Sequence, residues 1–303
     1  MPAGMRKKRW PWVVLAVFVA LLIIKRSLLD THAAPTGKFV IDLAALHQAA
    51  IAQGGLPVQI EVEKIGDFAF PQSLVVAGTG FHMHPMILLA HRVLWPNRSL
   101  IIDTAMAPEA AAQMPGSRTD PAAYARLQAA LSNASAILFT HEHEDHVGGV
   151  AKAANFPALA SKILLTQEQL SSPKLKREDF APGALESLKP LSYSGLHLVA
   201  PGVVLQKAPG HSLGSQLVYV ELASGARYLF VGDIAWTAEN IDQQIGRPGL
   251  ATLLMKEDRG LVAAQLQALK ELPKDVHLVI AHDPVLFERD VKAGLFHQGF
   301  TGL

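Results

Sequence analysis

Apolar residues follow three patterns along this chain. The first is unbroken: residues 10–24 carry no charge, and Lys25 and Arg26 close the run. No periodic polar face interrupts it, so it predicts an apolar helix that does not belong to a folded core. Arg6-Lys7-Lys8-Arg9 precede it, and residues 1–32 together read as an export element. A helix over 10–24 reaches about 22 Å, short of the roughly 30 Å hydrocarbon core, so a retained anchor needs its flanking cations to snorkel. A cleaved signal peptide is the competing reading, with Thr31-His32-Ala33 as the small-residue site, although two cations between run and site are unusual. The retained anchor is the preferred reading. Either way, the remainder is expected outside the cytoplasm, periplasmic or extracellular.

The second pattern is helical spacing. Residues 33–56 read as a linker followed by a helix over 39–53 that stops at Gly54-Gly55. Tyr124, Leu127 and Leu131 form one stripe over 121–132 behind the N-cap Asp120, and further helices are expected over 147–154 and 261–272. The third pattern is short runs with alternation or β-branched content, which predict strands: Val58, Ile60 and Val62 first, then 74–76, 86–90, 100–103, 136–139, 163–165, 196–200, 203–207, 216–222, 227–231 and 276–281. Residues 173–190, charged and holding three prolines, read as a mobile surface excursion or flap. Strands clustered in pairs with helices between them imply an α/β domain over 57–303, in which packed sheets are covered by helices.

Composition narrows the function. The chain has 303 residues, 50% of them hydrophobic and 17% charged, which is globular usage and enough for a sizeable core. Net charge is +1 and the N-terminal cluster is the only dense basic stretch, so no nucleic-acid partner is expected. There is no cysteine, which excludes disulfides, thiolate-bound zinc and a thiol nucleophile, and leaves His and Asp as metal ligands. No nucleotide-binding glycine motif is present either.

Chemistry concentrates in Thr140-His141-Glu142-His143-Glu144-Asp145-His146-Val147-Gly148-Gly149. The H-x-H-x-D-H pattern follows an apolar run, so a buried strand delivers three imidazoles and a carboxylate onto the loop at its end. That donor set suits a catalytic zinc with a position open to water. His211, Asp233 and His282 each stand just past another strand-like run, so one sheet edge could gather them on the same face.

The ordered set of H-x-H-x-D-H, then His, Asp and His over residues 59–284 resembles the metallo-β-lactamase-fold hydrolases. The resemblance implies an αββα sandwich with two zinc ions at one edge. It places one metal on His141, His143 and His211, the other on Asp145, His146 and His282, and Asp233 as the bridge. Asp103 matches the family's early Asp that supports the metal loops from behind. Two divalent cations a few ångströms apart can share a water as a bridging hydroxide and polarise the oxygen of the group attacked. Asp145 is also expected to orient that nucleophile or carry a proton to the leaving group.

Other positions carry weaker expectations. His82 and His84, an H-x-H on a Gly/Pro-flanked segment, are candidates to line a substrate pocket, and Tyr193 is a candidate hydrogen-bond donor to an oxyanion. Residues 81–85, 173–190 and 236–250 are the expected pocket-wall loops. His32, His47, His91, His197, His277 and His297 are read as ordinary structural histidines. Gly210-His211-Ser212-Leu213-Gly214 matches the nucleophile elbow of serine hydrolases, and the order Ser212, Asp233, His282 fits their triad. An elbow needs a helix after its serine, whereas 216–222 reads as β, and the serine reading leaves the H-x-H-x-D-H loop unexplained.

The expected function is therefore a zinc-dependent hydrolase acting on a small-molecule carbonyl substrate, a lactone or ester first. A bridging Asp is the pattern of the family's lactonases, glyoxalase-type thioesterases and phosphodiesterases, and true β-lactamases lack it. Only 21 residues follow His282, which argues against the glyoxalase type with its helical C-terminal domain. His143 stands where the iron-binding redox branch has Glu. Phosphodiesterase or β-lactamase activity on the same fold is the second reading, and a membrane-tethered metal-binding or sensor protein without turnover is the third.

Overall fold

In the computed structural model the structure describes residues 10–29, 32–177 and 180–301, with the side chains of Ser27 and Arg177 left aside; the cluster Arg6 to Arg9 lies outside them. Two sheets face each other. The larger contains β1 (Gln59–Pro71), β2 (Met83–Trp95), β3 (Arg98–Thr104), β4 (Arg118–Thr119), β5 (Ala136–Leu138) and β6 (Ile163–Leu164). The smaller contains β7 (Leu196–Ala200), β8 (Val203–Lys207), β9 (Gln216–Glu221), β10 (Arg227–Phe230) and β11 (Val276–Val279), and β12 (His297–Gln298) returns to pair with β1. The larger sheet runs β12-β1-β2-β3-β5-β6 with β4 beside β1, and the smaller β11-β10-β9-β8-β7.

Alternation sorts side chains into three apolar layers, as the period of two in a strand requires. Between the sheets, Leu100, Ile102 and Leu138 meet Val218, Val220 and Phe230. Residues of opposite parity turn outward: Ile101 packs under the helix Pro121–Asn133 through Leu127 and Leu131, and Tyr219 and Leu229 pack under Arg259–Lys270 through Val262 and Leu266. Helix, sheet, sheet and helix are thus stacked in four layers, the mixed α/β sandwich expected.

Several helix ends follow from local chemistry. Asp42, Asp120, Asp258 and Asp283 each accept backbone N–H bonds at the N-termini of Leu43–Ile51, Pro121–Asn133, Arg259–Lys270 and Pro284–Lys292. The last of these, with Pro284 in its first turn, is not marked by the apolar pattern.

Three expectations need correction. Residues 74–76 belong to no strand, because Gln72–Val75 is one helical turn after Pro71, its backbone tied to His82 and Gly80. Residues 173–190 are not a free excursion: Leu175, Ala184 and Leu188 are buried in the core under the larger sheet, and residues 178 and 179 lie outside those described. The N-terminal apolar helix does form, over Trp10–Leu28, and its apolar side chains are exposed. Among the described residues, however, no helix is long and apolar enough to cross a membrane, so the expected span is not supported. The two cations in its last turn shorten the apolar stretch.

Candidate metal centre

The strands deliver the predicted ligands to one place. β3 and β5 are parallel, β10 and β11 are parallel, and β8 and β10 share a direction because each is antiparallel to β9. Asp103 stands at the end of β3, His141 follows β5, His211 follows β8, Asp233 follows β10 and His282 follows β11. The short helix Glu144–Ala151 begins directly after His143 and presents Asp145 and His146. Close packing holds it: a Cβ on Gly149 would stand 2.1 Å from the Thr104 carbonyl oxygen. Thr104 Oγ1 also donates to the His146 carbonyl at 2.9 Å and accepts from Val150 N at 3.1 Å.

Among the described residues, two groups are arranged so that they could hold a metal ion, with ligand atoms within 4.8 Å of one another. One is His141, His143, His211 and Asp233; the other is Asp145, His146, Asp233 and His282. Asp233 belongs to both. Its Oδ1 lies 3.1 Å from His146 Nε2 and 3.2 Å from His282 Nε2, and its Oδ2 lies 3.4 Å from His211 Nε2 and 3.6 Å from His141 Nε2. Asp145 Oδ2 lies 3.3 Å from His282 Nε2.

The outward nitrogens of the rings are engaged from behind. His146 Nδ1 is 2.9 Å from Asp103 Oδ2, His211 Nδ1 is 2.8 Å from Glu257 Oε2, and His282 Nδ1 is 2.8 Å from the Ile87 carbonyl. A ring nitrogen that gives its proton to an oxygen leaves the other as a lone pair, so these contacts fix tautomer and orientation together. Asp103 also accepts from Thr140 N and Thr140 Oγ1 at 2.7 and 2.8 Å. Its backbone is left-handed at φ +57°, as is Ala105 at +53°, a conformation that costs about 1 kcal/mol or more for such residues. The strain lies where β3 must turn Asp103 toward the histidines.

An observation independent of ligand counting tests whether a cation fits. His141 Nε2 and His282 Nε2 are buried and have no hydrogen-bond partner, a costly condition for a polar atom unless a metal takes the lone pair. The electrostatics agree. Burial, with His146 adding to it, holds His141 well below the usual histidine range, and burial with His211 and Lys174 does the same to His143, so both rings stay neutral as ligands must be. At His146 and His282 burial acts in the same direction but is outweighed: Asp103, Asp145 and Asp233 raise His146 far above its ordinary value, and Asp233 and Asp145 lift His282 to about 9. Burial pushes Asp145 up, yet His146 and His282 hold it down at about 2. The carboxylates draw positive charge into the centre.

Not every candidate is there. Tyr193 donates to Gln216 Oε1 at 2.7 Å and stacks on His197, away from the two groups. His82 precedes β2 and His84 is near its start; His84 is half-buried, its pKa lowered by burial, and neither joins the metal groups. Glu142 is buried and accepts from Ser212 Oγ at 2.7 Å, and a strand follows that serine, so Ser212 is not set as a nucleophile.

Four residues at the centre escape the sequence reading. Glu257 is held by Arg247, whose Nε donates at 2.7 Å and whose NH2 group donates to the Asp233 carbonyl at 2.8 Å. Arg247 lies over the Trp236 ring, and Trp236 Nε1 donates to Asp233 Oδ2 at 2.6 Å. Lys174 Nζ stands 2.7 Å from His143 Nε2. Trp236 and Arg247 fall inside the loop expected to form a pocket wall, and Lys174 inside the supposed flap. Glu257 carries no local signal.

The sequence model of the metallo-beta-lactamase superfamily matches residues 94–282. An N-acyl homoserine lactonase of Bacillus cereus is 26% identical over 151 residues, 50% of this chain and 53% of that one. The chain thus spans about half the length of such curated relatives. An N-acyl homoserine lactone hydrolase, solved with N-hexanoyl-L-homoserine bound at its catalytic metal centre, superposes with a TM-score of 0.61 at 20% identity, covering 77% of this chain and 96% of that one. The dizinc quorum-quenching lactonase AidC superposes at 0.55 and 18% identity, covering 75% and 89%. The chain belongs to the metallo-beta-lactamase superfamily.

Proposed function

We propose that this chain is a zinc-dependent lactone hydrolase in which two metal ions share Asp233, with N-acyl homoserine lactones as the first substrate class to test. The observation that carries the reading is Asp233 itself, one oxygen facing His146 and His282 and the other facing His141 and His211. Imidazole and carboxylate donors without thiolate suit zinc. The lactone class is supported by the Bacillus relatives and by the lactone hydrolases that share the fold.

Zinc held by His141, His143, His211 and Asp233, and by Asp145, His146, His282 and Asp233, would supply Lewis acidity and bring the pKa of water toward neutrality. The chain does the rest. Asp103, Glu257 and the Ile87 carbonyl keep three imidazoles in the tautomer that offers Nε2 inward. Asp145, with a side chain 21% exposed beside His282, is placed to take a proton from water and return it to the leaving oxygen. Overall, one water adds across the ring ester: the carbonyl carbon gains a hydroxyl, the ring C–O bond breaks, and the ring oxygen keeps the remaining proton.

The test is a pH-stat assay of the zinc-loaded chain on N-acyl homoserine lactones, with the ring-opened acid identified by mass, beside phosphodiester and β-lactam substrates. Lactone turnover abolished by chelation is expected. Full zinc content with no hydrolysis of any of the three would favour a metal-binding sensor instead. The exposed apolar helix with Lys25 and Arg26 at its end supports an export role for the N-terminus, and protease accessibility in spheroplasts would check it.

A further inference from the structure

A cavity of about 390 Å³ opens beside the first metal group, bordered by His143, His211, Lys174, Lys256, Leu213 and Leu254. Its acids and its bases are not alike. Glu142 accepts from Ser212, and Glu168 is paired with Lys207. Among the described residues, neither Lys174 nor Lys256 has a carboxylate within ion-pair distance. A hydrogen bond from a neutral serine does not cancel the charge of Glu142, so the lining sets Lys174 and Lys256 against Glu142, one ammonium in excess, beside an apolar rim in Leu213 and Leu254, which are 79% and 75% exposed.

The partner Lys174 does have is a conditional one. His143 Nδ1 lies 2.9 Å from His211 Nε2, so Nδ1 is the nitrogen turned inward, and Nε2 faces Lys174 at 2.7 Å. An imidazole that ligates through Nδ1 keeps its hydrogen on Nε2. An N–H and an ammonium are both donors, and neither can accept from the other. With the site loaded, Lys174 needs an acceptor elsewhere, and its flexible stem already borders the cavity.

From this we infer that the cavity selects an anionic amphiphile: a lactone or ester whose carboxylate is held by Lys174 while its apolar tail lies over Leu213 and Leu254. The inference rests on the hydrolase reading and changes its preferred substrate: N-acyl homoserine lactones are neutral, whereas this cavity favours a lactone or ester that carries a carboxylate. Charge-assisted hydrogen bonds between ammonium and carboxylate are among the stronger polar contacts, so the selectivity is expected to be about tenfold or more.

The experiment compares two γ-butyrolactones that carry the same octyl chain, one with a ring carboxylate and one with the matching carboxamide. The zinc-loaded wild type is expected to favour the carboxylate in kcat/KM by about tenfold or more. Lys174→Met should bring that ratio to near one, and Lys174→Arg should restore it. A second readout is calorimetric binding of the non-hydrolysable cyclic ether bearing the same carboxylate and chain, expected to be about tenfold weaker in Lys174→Met than in wild type. No preference in the wild type, or equal binding of the ether by wild type and Lys174→Met, overturns the inference. If neither lactone is turned over but ether binding still depends on Lys174, the cavity assignment stands and the hydrolase reading fails.

Discussion

Two clusters of buried carboxylates in this sandwich are balanced in different ways. On the first strands of the larger sheet, Glu61 meets Arg92, which donates through Nε at 2.7 Å, and Glu63 meets Arg126 at 2.7 and 2.9 Å. The same carboxylates accept from Thr301 Oγ1 and Phe300 N, so the C-terminal segment is tied there. Each acid has its guanidinium, and the cluster is complete. At the strand ends, Asp103, Asp145, Asp233 and Glu257 face five imidazoles and a single guanidinium, Arg247. With neutral imidazoles, and with Lys174 beside His143 counted too, that leaves a net charge of minus two, and two ring nitrogens are buried without partners. A carboxylate matched by arginine holds a fold together; carboxylates set among imidazoles are arranged for cations. Which cluster a mutation touches should decide whether stability or metal is lost.

The largest effect is expected where both metal groups meet. Asp233→Ala should reduce bound zinc, measured by elemental analysis, and lower lactone hydrolysis by about a thousandfold or more, with the fold retained by circular dichroism. In the other cluster, Arg92→Ala leaves Glu61 buried and unpaired, since the two side chains are 4% and 0% exposed. Thermal or denaturant unfolding should show a loss of about 3–5 kcal/mol, while zinc content of the folded fraction stays at the wild-type value. Metal loss in that variant would break the contrast.

A pair of histidines sharpens it. His282 is lifted to about 9 by its carboxylate neighbours, whereas His91, packed between Phe230 and Phe296, is pushed down to about 4 by burial, which Asp103 only partly opposes. For His91 the unfolded chain takes up its proton first. Its contribution to stability is therefore complete above about pH 6.5 and is lost as pH falls toward about 4, by roughly 3 kcal/mol in all. His91→Phe should flatten the unfolding free energy over that window and leave zinc binding intact.

The smallest effect is expected at Glu257, which reaches the centre through His211 and, by way of Arg247, the Asp233 carbonyl. Glu257→Ala should weaken zinc affinity, measured by chelator competition, by about 10–100-fold. Glu257→Gln keeps an oxygen that can accept from His211 Nδ1 and should retain more of the affinity. An alanine variant with wild-type affinity would reduce Glu257 to packing.

The difference between the clusters also explains what the sequence could reveal. H-x-H-x-D-H is legible because four candidate ligands sit in six consecutive residues, 141–146, and His211, Asp233 and His282 because each follows an apolar run that had to be a strand. Glu257 and Arg247 lie in a connection without periodicity, and only the tertiary fold brings them to His211 and Asp233. Lys174 hid in a stretch whose charge and prolines suggest solvent, although Leu175 next to it is a buried anchor. Three apolar residues at 74–76 fit a strand or a helical turn equally, and hydrogen bonds from distant backbone decide for the turn. Tyr193 shows the converse, a polar aromatic whose partner, Gln216, no local rule could name.

The most direct measurement is a zinc titration of the metal-free chain, followed by elemental analysis and lactone turnover at each step. Two zinc ions per chain are expected, with turnover that rises with occupancy and disappears with chelator, and with loss of the two-ion endpoint in Asp233→Ala. An endpoint of one ion, or turnover that survives complete removal of metal, would contradict a two-metal hydrolase.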